Sequence, residues 1–106
     1  GLVEPDQHTR RVLAAAIRCN ASVIVTFNTK DFPREALDSF GIEAQHPDEF
    51  VCNLFGLDSA AVIAAAQRQR KQLRMPPMEV VSYLDLLLRL GLVQSSKTLA
   101  RYSAIL

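Results

Sequence analysis

A run of three β-branched residues, Val23-Ile24-Val25, breaks directly into a polar segment and constrains the fold more than any other stretch. Short runs of this kind are typical of buried strands in parallel sheets. In open α/β sheets, ligands bind outside the carboxyl ends of the strands. The polar segment places a hydroxyl, a carboxamide and a carboxylate just after this strand, on Thr26, Asn28 and Asp31. The sequence therefore predicts an α/β unit with a candidate functional edge at this point.

The segments around the strand predict a helix before it and several helices after it. A small apolar segment, Val12-Leu13-Ala14-Ala15-Ala16-Ile17, suits a helix that covers a sheet. Asp6 or Thr9 can cap the start of that helix, and Asn20 marks its end. After the strand we expect a helical turn over 32–41, a second short strand over 42–44, and helices over 47–56, 60–73, 78–90 and 97–104.

Three segments, in this order and at compact spacing, resemble the C-terminal part of a PIN-domain ribonuclease. This is the fold of the VapC-like toxins of bacterial toxin–antitoxin pairs. The segments that carry the resemblance are 11–17, 23–33 and 41–50. The resemblance covers about half of the chain and thins beyond Phe55 to an accessory helical tail. It implies a C-terminal part of a PIN-like domain over 1–55 and a helical tail over 56–106.

The fold class that follows is α/β and helix-rich overall. The resemblance implies a partial PIN-like, Rossmann-like three-layer helix–strand unit, followed by a mostly α-helical C-terminal tail. It also implies a metal-dependent endoribonuclease of the toxin–antitoxin type, in which Mg²⁺ or Mn²⁺ activates water. The implied catalytic residues are Asp31, Asn28 and Thr26, and the implied metal ligands are Asp31 and Asp6. From the residues alone, Asp31 can instead cap a turn and Asn28 can adopt a left-handed turn conformation.

Two departures from the family pattern bear on activity. The family's opening strand with its first metal-binding aspartate, and a mid-domain helix with an acidic residue, are not in this sequence, which begins at Gly1. Members usually carry an aspartate at the position that Thr9 occupies. Because Mg²⁺ usually takes one or two carboxylates besides the substrate phosphate, Asp31 alone is not sufficient. We therefore expect a fragment with little or no turnover of its own, the remaining acids coming from sequence outside it.

A cluster of cations near the end of the long helix suggests a second kind of site. Arg68, Arg70, Lys71 and Arg74 are close in sequence, and Arg70 and Arg74 share a helix face. Such a cluster can contact RNA phosphates, each contact adding a salt-dependent contribution to affinity. Alternatively, the cations complement the dipole at the C-terminus of the helix, an effect of about 0.3–1 kcal/mol. No aromatic residues are interleaved to stack on bases, which disfavours a dedicated RNA-binding module.

The last two helices are apolar for their length and suggest an alternative function. Leucines and valines recur at helical spacing over 80–90, and Ser95 or Ser96 can cap the final helix. The alternative is a non-catalytic helical interaction or dimerisation module. By resemblance the partners are an RNA substrate, an antitoxin protein and a second copy in a homodimer, in the cytoplasm. The formal net charge of +1 and the lack of an apolar run of about 20 residues give no indication of a membrane.

Overall fold

Residues 6–73 and 77–106 are described by the structure, a computed structural model of the 106-residue chain. The chain divides into two compact units, Gly1–Pro47 and Asp48–Leu106, here called the N-terminal unit and the C-terminal unit. The boundary predicted between residues 55 and 56 follows family resemblance rather than compactness. It is not tested by this division and stays a prediction.

The N-terminal unit begins with helix α1, Gln7–Arg18, whose ends follow from local sequence. The carboxylate of Asp6 caps the helix by accepting a hydrogen bond of 2.7 Å from the backbone N–H of Thr9. The chain leaves the helix through Asn20, which has a positive φ of 53°. Asparagine tolerates this left-handed conformation better than most residues, so the predicted stop is confirmed.

Two short parallel strands follow α1. Strand β1 is Val23–Val25 and strand β2 is Glu43–Gln45, with Ile24 opposite Ala44. The connection contains a 3₁₀ turn at Thr29–Asp31, helix α2 at Arg34–Leu37 and a second 3₁₀ turn at Asp38–Phe40, closed by Gly41 at φ 66°. Strand β2 starts one residue later than predicted, because the backbone N–H of Ile42 donates to the carbonyl of Leu37 at 3.3 Å and so closes the preceding turn.

A small apolar cluster forms the core of the N-terminal unit. It joins one residue of α1, one of β1 and three from the connection, namely Ala16, Ile24, Phe32, Leu37 and Ile42. The half-buried side chains of Val12 and Leu13 pack against it from α1. This core fixes the carboxyl end of β1 relative to α1, and so positions the polar segment that follows β1.

The C-terminal unit is helical. It contains α3, Pro47–Leu57, α4, Ser59–Gln72, α5, Val80–Arg89, and α6, Val93–Ala100, followed by a 3₁₀ turn at Ser103–Ile105. Its buried core consists of Ala66, Tyr83, Leu99 and Leu106, with partly buried side chains such as Val62 and Leu87 packed against it. The predicted fold class is confirmed: a helix-rich chain in which an α/β helix–strand unit precedes a mostly helical tail.

The start predicted for the last helix is wrong. Helix α6 begins at Val93, so Ser95 and Ser96 lie buried in its first turn and do not precede it. The carboxylate of Asp48 accepts hydrogen bonds from the backbone N–H groups of Gln94 at 2.9 Å and Ser95 at 2.7 Å. A residue 46 positions earlier in the chain therefore satisfies the N-terminus of α6.

Helices long and apolar enough to cross a membrane are not found within residues 6–73 and 77–106.

Candidate functional site

A hollow of about 250 Å³ lies at the carboxyl end of β1. Thr26, Asn28 and Asp31 line it, and so do His8 and Thr9 from the first turn of α1. The apolar part of its lining is formed by Val12, Ile24, Val25 and Phe32. The three residues that the sequence analysis placed at a functional edge are thus brought together around one concave surface.

Thr26 holds the polar segment in place through two hydrogen bonds. Its backbone N–H extends the ladder by donating to the carbonyl of Gln45 at 2.9 Å. Its hydroxyl oxygen accepts a bond of 3.0 Å from the backbone N–H of Asn28. Asn28 has a φ of −116°, so it does not adopt the left-handed conformation that was the structural alternative for this residue. The Thr26 hydroxyl therefore orders the turn that presents Asn28.

Asp31 ends a 3₁₀ turn with an exposed carboxylate. Its backbone N–H donates to the carbonyl of Asn28 at 3.1 Å, and the next side chain, Phe32, is anchored in the core. Within the part of the chain that the structure describes, the Asp31 carboxylate has no hydrogen bond and no ion pair. It does not cap a turn, so its oxygens are available to a ligand.

Asp6, the other implied metal ligand, is engaged by its own helix. The pKa of Asp6 lies below its ordinary value, first because the backbone N–H of Thr9 stabilises the carboxylate and then because of the Thr9 hydroxyl and nearby His8. Asp6 is not among the residues that line the hollow. Its role as a metal ligand stays a prediction.

His8 and Thr9 are the lining residues that sequence reasoning did not assign to the site. Thr9 is buried and faces the hollow from the position where the resemblance implies an aspartate. The sequence did carry a signal for Thr9, because a threonine stands where the resemblance implies an aspartate. His8 gave no such signal, because a single histidine in the first turn of a helix is usually a surface residue. At the neighbouring strand end, His46 contacts Phe27 edge-to-face, with ring centroids 5.4 Å apart.

The donor set of the hollow fits Mg²⁺ or Mn²⁺ in kind but not in number. The carboxylate, carboxamide and hydroxyl oxygens of Asp31, Asn28 and Thr26 are the hard ligands that these ions prefer. Groups of three or more histidine, cysteine, aspartate or glutamate residues placed to hold a metal are not found among residues 6–73 and 77–106. The hollow can therefore supply a part of such a site.

The cations predicted to contact RNA occupy different environments. Arg68 and Lys71 are exposed. Arg70 is half-buried, and its guanidinium donates to the carbonyl of Leu106 at 2.8 Å and to that of Met78 at 3.0 Å. Two of its five donors thus tie the C-terminal unit together. Arg74 lies outside the described residues, and the RNA-binding role of this cluster stays a prediction.

Comparison with known proteins gives two matches. Residues 47–101 match the family model of the VapC50 C-terminal domain. Over 78 residues the chain is 42% identical to a protein of Mycobacterium tuberculosis (strain ATCC 25618 / H37Rv) named "Putative ribonuclease VapC50". The aligned part is 74% of this chain and 46% of that protein, so the chain spans about half the length of the curated relative it matches. No solved structure matches the chain.

Proposed function

This chain belongs to the VapC50 C-terminal domain family, and from that premise we propose that it is the C-terminal part of a metal-dependent endoribonuclease of the toxin–antitoxin type. The relative's name supports ribonuclease activity for the whole protein. Single-stranded RNA is the proposed substrate, Mg²⁺ or Mn²⁺ the proposed cofactor, and the cytoplasm the proposed location. An antitoxin protein and a second copy of the toxin are the proposed partners.

The observation that carries the proposal is the Asp31 carboxylate, which is exposed in the hollow and has no partner among the described residues. Asp31 would hold the metal ion together with the side-chain oxygen of Asn28. Thr26 orders the turn on which both residues stand. When bound, the ion activates water and offsets the negative charge on the leaving oxygen. The protein's own contribution is to fix these donors at the end of β1 by anchoring Phe32 in the core.

The proposal assigns little or no turnover to this chain alone. Thr9 stands in the hollow where the resemblance implies a carboxylate, and Asp6 is committed to capping α1. A single carboxylate binds Mg²⁺ weakly, because the ion keeps most of its water unless further anionic ligands displace it. The remaining acids would come from the part of the longer protein that lies N-terminal to these residues.

Cleavage of a labelled single-stranded RNA, with Mg²⁺, with Mn²⁺ and with a chelator, tests the proposal on this chain and on the longer protein. We expect cleavage by the longer protein only, and only with metal. Absence of cleavage by both, with both proteins folded, would contradict the enzyme and leave the interaction module as the better account. Cleavage that persists in chelator would contradict the metal dependence.

A second candidate function is a non-catalytic interaction or dimerisation module, and the surface of the C-terminal unit favours it. Leu57 and Val81 are 84% and 77% exposed. Val62, Leu87 and Leu99 contribute to an open hollow of about 410 Å³ in the same unit. Exposed apolar surface of this kind often marks an interface. A monomer at all concentrations in sedimentation would contradict self-association, whereas a dimer insensitive to divalent metal would support the module.

A further inference from the structure

Helix α1 has two faces of opposite character. Thr9, Val12, Leu13 and Ala16 face the core. At 100° per residue, the opposite arc of about 100° carries Gln7, Arg10, Arg11, Ala14 and Arg18. All five of these residues are exposed. The three arginines on this arc are here called the basic stripe.

The stability of the helix does not account for the basic stripe. Arg18 lies in the last turn, where a cation is favoured by the helix dipole. Arg10 and Arg11 lie just after the first turn, where a cation gains nothing from that dipole. None of the three has an ion-pair partner within residues 6–73 and 77–106. Ion pairs among the described residues therefore do not compensate the charge of the stripe.

The shape of this face suits an extended anion. Gln7, the small Ala14 and the three arginines line a shallow hollow of about 420 Å³. Arg11 and Arg18 are seven positions apart, or about 10 Å along the helix axis. A guanidinium can donate two parallel hydrogen bonds to one phosphate, and a stripe of them can contact several phosphates of one strand.

The stripe lies on the same helix as part of the candidate active site but on another face. His8 and Thr9 line the hollow that holds Asp31, whereas Arg10 and Arg11, the next residues in sequence, project from the side of α1 opposite the core. We infer that the basic stripe binds the phosphodiester backbone of single-stranded RNA. This inference rests on the proposed function and names a substrate-binding surface outside the hollow. It assigns the main RNA contacts to α1 rather than to α4, where Arg70 is partly used for internal hydrogen bonds.

Fluorescence anisotropy with a short labelled single-stranded RNA, in chelator, tests the inference without cleavage. The test variant carries Arg10→Gln, Arg11→Gln and Arg18→Gln. The matched control carries Arg34→Gln, Lys97→Gln and Arg101→Gln, which removes the same charge from exposed positions elsewhere. A further variant with Arg68→Gln and Lys71→Gln tests the α4 cluster in the same assay. Circular dichroism verifies that each variant keeps its helical content.

We expect the stripe variant to bind RNA about 10- to 100-fold more weakly at about 0.1 M salt, and the control to change little. The slope of log affinity against log salt should become shallower by about 2, or about 0.7 for each lost phosphate contact. Equal affinities of stripe variant and control, no binding by the unmodified chain, or a loss confined to the α4 variant would overturn the inference. Stripe-dependent binding of an acidic peptide in place of RNA would overturn it too, and assign the surface to a protein.

Binding and cleavage separate this inference from the proposed function. RNA binding that depends on the stripe, together with no cleavage by the longer protein, would leave the stripe in place and refute the nuclease. Metal-dependent cleavage by the longer protein that is unaffected by the three stripe substitutions would support the nuclease and refute the stripe as its RNA-binding surface.

Discussion

The two units of this chain are stabilised in different ways. The N-terminal unit has a small apolar core under a sheet of two three-residue strands, and the side-chain hydrogen bonds of Asp6 and Thr26 in it span three and two residues. In the C-terminal unit, Asp48 bonds to residues 46 and 47 positions away, and Arg70 to a residue 36 positions away. Side-chain hydrogen bonds between distant residues thus help fix the tertiary structure of the C-terminal unit, whereas those of Asp6 and Thr26 order local structure.

This difference matches the roles that we assign to the units. A two-stranded sheet is marginal by itself, and further strands are what usually make such a unit robust. The N-terminal unit carries the candidate site on this small sheet, with one carboxylate in the hollow. In the C-terminal unit, the carboxylates of Asp58 and Asp48 accept hydrogen bonds from backbone N–H groups at the starts of α4 and α6. The small sheet and the partial donor set of the N-terminal unit fit the proposal that other sequence completes the site.

The largest expected effect is from Leu37→Ala, which opens a cavity in the N-terminal core. Leu37 is 2% exposed, and buried leucine-to-alanine changes cost about 2–5 kcal/mol. Hydrogen exchange should show lost protection in α1 and β1 while α4 to α6 keep theirs. The matched control is Leu57→Ala, at 84% exposure, which should cost less than about 0.5 kcal/mol. Equal loss of protection in both units would refute the contrast between them.

Asp48→Ala should destabilise the C-terminal unit by about 2–3 kcal/mol. It removes the acceptor for the Gln94 and Ser95 N–H groups and for the Ser95 hydroxyl, which donates to Asp48 at 2.6 Å. Chemical unfolding measures the loss. Glu49→Ala, the exposed neighbouring acid in the same turn of α3, should change stability by less than about 0.5 kcal/mol. Similar losses in the free energy of unfolding for the two variants would mean that the Asp48 cap contributes no more to stability than an exposed surface charge does.

Thr9→Asp should add a second carboxylate to the hollow beside Asp31. We expect Mn²⁺ to bind about tenfold more tightly, or about 1.4 kcal/mol, because each carboxylate displaces metal-bound water. Calorimetry measures the affinity, and the melting temperature should rise with Mn²⁺ because only the folded state binds the ion. Thr9→Asn, similar in size but uncharged, is the control. Equal Mn²⁺ affinities of the Thr9→Asp and Thr9→Asn variants would place Thr9 outside any metal site.

The smallest expected effect concerns Asp6 and pH. The pKa of Asp6 lies below its ordinary value of 3.8, chiefly because of the Thr9 N–H, so its contribution to stability is present above that pH. It is lost as the pH falls through the lower pKa of the folded state. Asp6→Ala should therefore be less stable than the unmodified chain at neutral pH, and the difference should shrink as the pH falls below 3.8. A stability difference that is constant with pH would mean that charge is not involved.

Local signals were sufficient to predict β1, the polar segment after it, the stop at Asn20 and the helix-rich tail. Each depends on residues adjacent in sequence, such as a β-branched run or a capping side chain. The start of α6 was mispredicted because Ser95 and Ser96 resemble a local cap, whereas Asp48, far away in sequence, supplies the real one. The placement of His8 in the hollow depends on how α1 packs on β1, which no local pattern encodes.

The central claim is that the carboxyl end of β1 is part of a ribonuclease active site, and Asp31→Asn in the longer protein tests it most directly. Asp31 has no side-chain partner among the described residues, so the fold should be unaffected while metal-dependent RNA cleavage falls by about 100-fold or more. Asp38→Asn, at an exposed position in the same unit, should leave cleavage unchanged. Cleavage by the Asp31→Asn protein at the rate of the unmodified protein would contradict the account.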